Sequence, residues 1–236
     1  MSSTHHLRNF TNEQKLNLLE RWMPCKNAVL LDMAGGKGYD LFKFQALGVS
    51  HVDMCDFSSP SVDEALRRYR NIHNPKFSFT VRIADMRTED AFPRVDEVYD
   101  MVSCQFAIHH IFSDPERYAA SFFERVAKCM KKGGTFVFTA TIPEYVQVFR
   151  NNSICQIELL NGSPTKTSYH FKLDGLGSGF TEHFVHLNTV LEVARRAGLW
   201  LLEYERFYDA ASTNETMSSD ERQVAYLYCS YAFVKH

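Results

Sequence analysis

Residues 28–38 read Ala28-Val29-Leu30-Leu31-Asp32-Met33-Ala34-Gly35-Gly36-Lys37-Gly38, and a helix-forming stretch follows from Tyr39 to Leu47. The unbroken apolar run at 28–31 is the signature of a strand buried on both faces. A glycine-rich turn between such a strand and a helix lets a ligand approach the backbone and meet the helix N-terminus. Glycines at 35, 36 and 38 fit the dinucleotide pattern G-x-G-x-x-G poorly. Asp32, at the strand end, is ill placed beside a pyrophosphate. It suits a cationic ligand, such as a sulfonium with its amino group.

The same alternation continues outward in both directions. Upstream, Thr11-x-x-Gln14 reads as a capping box opening a helix through Leu19 and Trp22. Downstream, Val52 to Asp56 is a strand, and Ser61 to Tyr69 a helix with Val62, Leu66 and Tyr69 on one side. Phe77 to Ile83 alternates like a strand, and Tyr99 to Cys104 is another buried one. Pro115 suits a first helical turn, and Tyr118, Phe122, Val126 and Met130 continue at helical spacing. Lys131-Lys132-Gly133-Gly134 is expected to end that helix with cations and a C′ glycine, before a strand from Thr135 to Thr141. This rhythm predicts a doubly wound α/β fold, a parallel sheet with helices on both faces.

After about Asn151 the rhythm changes. Ser163-Pro164-Thr165 and Gly175-x-Gly177-x-Gly179 are turn material, and a helix from Leu187 to Ala197 ends at Gly198. Leu199 to Phe207 and Ala225 to Val234 are two late strands, expected to pair as an antiparallel hairpin with a long polar connection. No repeat or linker divides the chain, so a single domain over 1–236 is expected, whether whole or cut from a longer protein.

The 26 basic and 28 acidic residues leave a formal charge of −2. That argues against gripping long nucleic acid by charge alone, but not against reading one terminal nucleotide. No apolar run is long enough for a membrane span, and the N-terminus has no apolar signal core. Six cysteines form no C-x-x-C and no zinc spacing, and most lie in apolar runs as free thiols. The expectation is a reduced intracellular protein, nuclear or cytoplasmic, with no metal and no membrane partner.

Asp32, Asp56 and Asp85 end three successive strands. One such acid reads as a helix cap. Three together read as ligands: Asp56, about 20 residues past the first strand, for both ribose hydroxyls, and Asp85 for an adenine amino group. The arrangement resembles class I S-adenosylmethionine-dependent methyltransferases.

Further segments resemble one family in that class, the messenger RNA cap guanine-N7 methyltransferases. Asp32-x-x-x-Gly36-Lys37-Gly38-x-Asp40-Leu41-x-Lys43-Phe44 is similar to the signature D-x-G-x-G-K-G-G-D-L-x-K-aromatic. Leu7-Arg8-Asn9-Phe10-x-Asn12-x-x-Lys15 resembles L-R-N-F-N-N-x-x-K, and Ser103-Cys104-Gln105-Phe106-x-x-His109-His110 resembles S-x-Q-F-x-x-H-Y. Thr181-Glu182-His183-Phe184-Val185 is similar to the family's E-[FY]-[LF]-V segment, and Tyr228-x-x-x-Ala232-Phe233 to its closing Y-x-x-x-A-F strand. Each motif alone is weak, but they run in the family's order over nearly the whole chain.

The resemblance implies a Rossmann-like, mostly parallel seven-stranded sheet with an antiparallel C-terminal strand. It implies methyl transfer from S-adenosylmethionine, leaving S-adenosylhomocysteine, to N7 of the guanine in a 5′ GpppN RNA cap. By position, Lys15 would meet the methionine carboxylate, and Asp32 with the turn Ala34-Gly35-Gly36 would cradle the methionine. Asp56 would bind the ribose and Asp85 the adenine, Gln105 would contribute through its backbone, and His110 would flank the cofactor. Lys37, Lys43 and Arg68 match basic positions near the cap phosphates, and Asn12 a position near the cap. His109, Glu182 and Tyr228 match the guanine pocket. Plainer readings stand beside these: a solvated helix charge for Arg68, a core histidine held by a backbone bond for His109, an edge-strand charge for Glu182, and core packing for Tyr228.

Three positions depart from the family pattern. Ala34 and Tyr39 replace glycines, the former with slight crowding expected, and His110 replaces a tyrosine. The implied chemistry needs no general base, because guanine N7 carries a free lone pair. A carboxylate at Glu182 would accept from N1–H and the 2-amino group together. The cap would be the partner of a monomeric chain, with a separate capping enzyme or a fused guanylyltransferase domain supplying the rest. Two other readings share the cofactor half: a small-molecule methyltransferase and a methyltransferase-like non-catalytic subunit.

Overall fold

In the computed structural model, residues 4–94, 96–160 and 168–236 are described. The regular elements are α1 (His5–Trp22), β1 (Val29–Met33), α2 (Leu41–Ala46), β2 (His51–Asp56), α3 (Ser59–Arg70), β3 (Ser78–Ile83), β4 (Tyr99–Cys104), α4 (Ala120–Cys129) and β5 (Met130–Thr141). There follow α5 (Pro143–Val148), β6 (Cys155–Leu159), β7 (Ser168–Leu173), β8 (Phe180–His183), α6 (Leu187–Arg196), β9 (Leu199–Arg206), α7 (Phe207–Ser212), α8 (Ser219–Ala225) and β10 (Tyr228–Lys235).

The main sheet has the order β3-β2-β1-β4-β5-β10-β9. Its first five strands pair in parallel, and β10 runs antiparallel to both β5 and β9. This is the seven-stranded sheet that the resemblance implies. Alternate residues feed two cores, as the strand period requires. Leu31, Val102, Phe136 and Phe138 pack with α4 and α6, while Leu30, Met101 and Val137 pack with Leu18 and Leu19 of α1. Between β5 and β10 the register sets Phe138 beside Tyr231, with rings stacked at 4.6 Å.

A second sheet, β6-β7-β8, is antiparallel and was not expected from the sequence. It closes a further core that holds Leu7 and Phe10 of α1, Tyr169 and Phe171 of β7, Phe207 of α7 and Val224 of α8. The expected turn at 163–165 lies outside the described residues.

Several boundaries differ for identifiable reasons. α1 begins at His5, and Thr11 lies within it, its hydroxyl turned back to the Arg8 carbonyl. The unpaired N–H of Leu7 in the first turn is met by Glu221 Oε1 at 3.0 Å, so the cap comes from a distant helix. Glu221 also closes a true capping box with Ser218 at the start of α8. The connection expected to be polar loop therefore carries α7 and α8. Lys131-Lys132-Gly133-Gly134 does not end α4 but opens β5, because Met130 already pairs with Tyr99 and the Lys131 ammonium is held by Asp100 at 2.8 Å. The helix after the glycine turn is shorter than expected, Leu41–Ala46, with Asp40 at its N-cap.

Ala34 carries a backbone cost that the sequence did not show: its φ is +56°, in the left-handed region that disfavours a Cβ. Ala34→Gly is expected to raise the unfolding free energy by about 0.5–1 kcal/mol, the left-handed cost less the entropy of an added glycine. Urea denaturation checks this, and a loss of stability would show that the methyl group packs better than the backbone is strained.

Candidate active site

The chain order of strands reverses between β1 and β4, the point where open α/β sheets leave a crevice at their carboxyl ends. Two adjoining clefts occupy it. One, of about 280 Å³, is lined by Lys15, Asp32, Gly35, Gly36 and Lys37 among others. The other, of about 310 Å³, is lined by Asp56, Phe57, Asp85, Arg87 and His110 among others. Ala34 and Gln105 line both. The structure thus brings together every residue that the sequence marked for the cofactor.

The approach at Gly35 is close: a Cβ there would fall 2.4 Å from Asp32 Oδ2 and 2.6 Å from the Met54 side chain. Burial pushes the Asp32 carboxyl well above the usual range, with Asp40 adding to the effect and Lys15 opposing it. Asp56 is fixed by the backbone N–H groups of Gly36 and Ser58, both at 2.9 Å. The Gln105 side chain donates from Nε2 to Ser103 Oγ at 3.1 Å, and its buried Oε1 has no partner among the described residues.

Arg87 was missed by the sequence reading. Its guanidinium clamps both oxygens of Asp85 and holds that carboxyl below the usual range. Phe57, 68% exposed, was missed too, although an aromatic directly after a strand-ending acid was a visible signal.

Asp40 has a larger part than its place in the motif suggested. Lys15 Nζ lies 2.8 Å from both of its oxygens, and Lys43 Nζ shares Oδ1 while donating to Asn12 Oδ1 at 3.1 Å. Burial resists ionisation of Asp40, but the two ammonium groups outweigh it and hold the carboxyl below its ordinary value. Arg68 is not a simple solvated charge. Its guanidinium lies 4.0 Å from the centre of the Tyr39 ring, with Nε 2.9 Å from Glu64.

A third pocket, of about 260 Å³, is lined by Phe106, His109, Thr141, Glu182 and Tyr228 at its polar end, with Leu7, Phe171 and Val224 among its apolar walls. Glu182 is only 5% exposed, which removes the reading as an edge charge. Tyr169 Oη donates to its Oε2 at 2.5 Å. Burial raises the Glu182 carboxyl to about 7, against the pull of that hydrogen bond. His109 is held neutral by burial and then by His110 and His183. Its Nδ1 is 4.0 Å from Glu182, beyond hydrogen-bond range, and its Nε2 is buried with no partner among the described residues. The reading of a core histidine on a backbone bond therefore fails. The Tyr228 ring meets Phe106 edge-on at 5.1 Å.

Phe106 lines both this pocket and the cleft of Asp56. It sits at φ +56°, a costly conformation for an aromatic residue, and its N–H donates to Thr139 Oγ1 at 2.7 Å. Among the described residues no group of three or more His, Cys, Asp or Glu side chains converges on a point that could hold a metal, and no helix is long and apolar enough to cross a membrane.

The model of the mRNA (guanine-N(7))-methyltransferase domain matches residues 1–214. The chain belongs to this family. Among similar proteins, the mRNA cap guanine-N(7) methyltransferase of Drosophila melanogaster is 29% identical over 90% of this chain and 57% of its own length. Those of Caenorhabditis briggsae and Saccharomyces cerevisiae are 32% and 29% identical, over 71% and 85% of this chain and 51% and 52% of their own. This family member thus spans about half the length of those relatives. Solved structures share the fold: an S-adenosylmethionine-dependent methyltransferase from Mesorhizobium loti superposes with a TM-score of 0.67 at 17% identity, covering 97% of this chain and 100% of its own. A putative one from Listeria monocytogenes reaches 0.69 at 14% identity, covering 98% and 100%.

Asp40→Asn would leave the two mostly buried ammonium groups of this family member without their shared counter-charge. The expected loss of unfolding free energy is about 3 kcal/mol. Because Asp40 titrates lower when folded, its contribution is present above ~pH 4 and lost as pH falls through the folded value. Denaturation of both proteins at neutral and acid pH should show the gap closing on acidification.

Proposed function

We propose that this chain transfers the methyl group of S-adenosylmethionine to N7 of the terminal guanine of a GpppN RNA cap, leaving S-adenosylhomocysteine. One observation carries the reading: the cleft of Asp56 and the pocket of Glu182 share the Phe106 wall, so a group in one can face a group in the other. The residues fit the cofactor. Buried Asp32 and the unpartnered Gln105 Oε1 are acceptors for a cationic, amino-bearing ligand. When bound, S-adenosylmethionine supplies an activated methyl group on a sulfonium.

The chain's own task is positioning. Lys15 and Asp32 hold the methionine end, Asp56 the ribose, and Asp85 with His110 and Phe57 the adenine end. Ionised Glu182 accepts from guanine N1–H and the 2-amino group, His109 and Tyr228 bound the ring, and Lys37, Lys43 and Arg68 with Asn12 hold the phosphate side. That pairing fixes the ring and leaves N7 electron-rich, with no proton to remove first. Alignment of the reacting atoms then carries most of the rate.

Three acids at one sheet edge support an enzyme over a non-catalytic subunit, and a buried carboxylate beside His109 supports guanine over another small-molecule substrate. The chain would act as a monomeric domain, in nucleus or cytoplasm, beside or fused to the activities that build the cap.

The test compares GpppN-RNA with m7GpppN-RNA as methyl acceptors, and only the first should be used. Glu182→Gln should lower kcat/KM on the order of a hundredfold while S-adenosylmethionine affinity stays intact. Because Glu182 must be ionised, kcat/KM should fall as pH drops below about 7. Equal use of both RNAs, or wild-type turnover by the Gln variant, would refute the reading, and chelators should leave turnover unchanged.

A further inference from the structure

Tyr169 was given no part by the sequence, yet it stands directly behind two residues that line the third pocket, Glu182 and Thr141. It lies on β7 in register with Glu182 on β8, and its side chain is fully buried. Its hydroxyl is 2.5 Å from Glu182 Oε2 and 2.7 Å from Thr141 Oγ1. Thr141 ends β5, opposite Tyr228 on β10. The small sheet and the main sheet are therefore joined at this point by a chain of three side chains. The Tyr169 ring packs at 5.2 Å from Phe184, so its place does not depend on the hydroxyl.

The proton count decides what the chain does. A carboxylate only accepts, and a phenol has one proton to give. With Glu182 ionised, the Tyr169 proton points to Oε2, and Thr141 must donate into the phenol oxygen. With Glu182 protonated, the carboxyl proton turns to the phenol and the phenol proton to Thr141. In the first direction Oε2 accepts from Tyr169 and both carboxylate oxygens still keep a lone pair to accept from a guanine edge, with no proton on either.

The other groups facing Glu182 carry no charge and make no hydrogen bond to it. His109 stands 4.0 Å away and neutral, the Cys155 thiol is pushed up to about 12 by burial, and burial likewise keeps the Tyr228 phenol protonated. Among the described residues, Tyr169 alone is hydrogen-bonded to this carboxylate.

We propose that Tyr169, backed by Thr141, is the positioning residue that holds Glu182 in its ionised, guanine-reading orientation. This rests on the role of Glu182 proposed above. Burial drives Glu182 toward the neutral acid, and the directed hydrogen bond opposes it.

The experiment uses Tyr169→Phe, Thr141→Val and Thr141→Ser in the full chain, with the glutamate carboxyl carbons labelled for NMR. In Tyr169→Phe the Glu182 resonance should titrate at higher pH than in the wild type. Thr141→Val should move it the same way by less, and Thr141→Ser should recover the point that Thr141→Val displaces. The acid limb of kcat/KM for GpppN-RNA should follow, with a loss of roughly ten- to a hundredfold near neutral pH, from one charge-assisted hydrogen bond, that narrows at higher pH. S-adenosylmethionine affinity and the circular dichroism spectrum should be unchanged. An unmoved Glu182 titration in folded Tyr169→Phe, or an activity loss equal at all pH values, would overturn the proposal. The titration needs no substrate, so it still decides the point if the wild type proves inactive on caps, a result that would instead defeat the function proposed above.

Discussion

A carboxylate taken out of water costs several kcal/mol unless its charge is met, and this protein buries or half-buries several around its clefts. Each is handled differently. Asp56 is held by two backbone N–H groups, Asp40 by two ammonium groups and Asp85 by a guanidinium. Asp32 and Glu182 are left with the smallest compensation, and burial raises both. The two least satisfied acids are thus the ones proposed to meet cationic or donor-bearing ligands. Acids already neutralised act as struts that aim Lys15, Lys43 and Arg87.

Two bodies of packing have to agree for the site to exist. The parallel half of the main sheet, with Lys15 of α1, forms the two clefts at its carboxyl ends. The third pocket draws on α1, β5, the small sheet, α8 and β10 together. Phe106 is the residue common to both regions, and its left-handed backbone is tolerated because Thr139 and Tyr228 fix its N–H and ring. Strain at that junction is consistent with a wall that must serve two ligands at once.

Much of this was legible in the sequence. Val29–Met33 and Tyr99–Cys104 announced themselves because a buried parallel strand cannot hide its apolar run. Asp32, Asp56 and Asp85 were readable because strand ends fix where short acids lie. Thr11 misled because a capping box is a local pattern, whereas the real cap on α1 arrives from Glu221, far along the chain. Lys131-Lys132-Gly133-Gly134 misled because cations and glycines look the same at a helix end and at the start of a strand. The alternation of Tyr169, Phe171 and Leu173 was present as a signal for β7. The partnership of Tyr169 with Thr141 and Glu182 was not, since no spacing rule joins residues that meet only through tertiary packing.

The bond from the Leu7 N–H to Glu221 spans 214 positions. A ribosome making this chain releases β1 to β5 long before Glu221 emerges, so the cofactor half can collapse while α1 still lacks its cap and the third pocket its walls. Contacts of such sequence separation form late, because their loop-closure entropy must be met before they stabilise anything. The nascent protein therefore passes through a stage with the edge of the parallel sheet built and the third pocket still open.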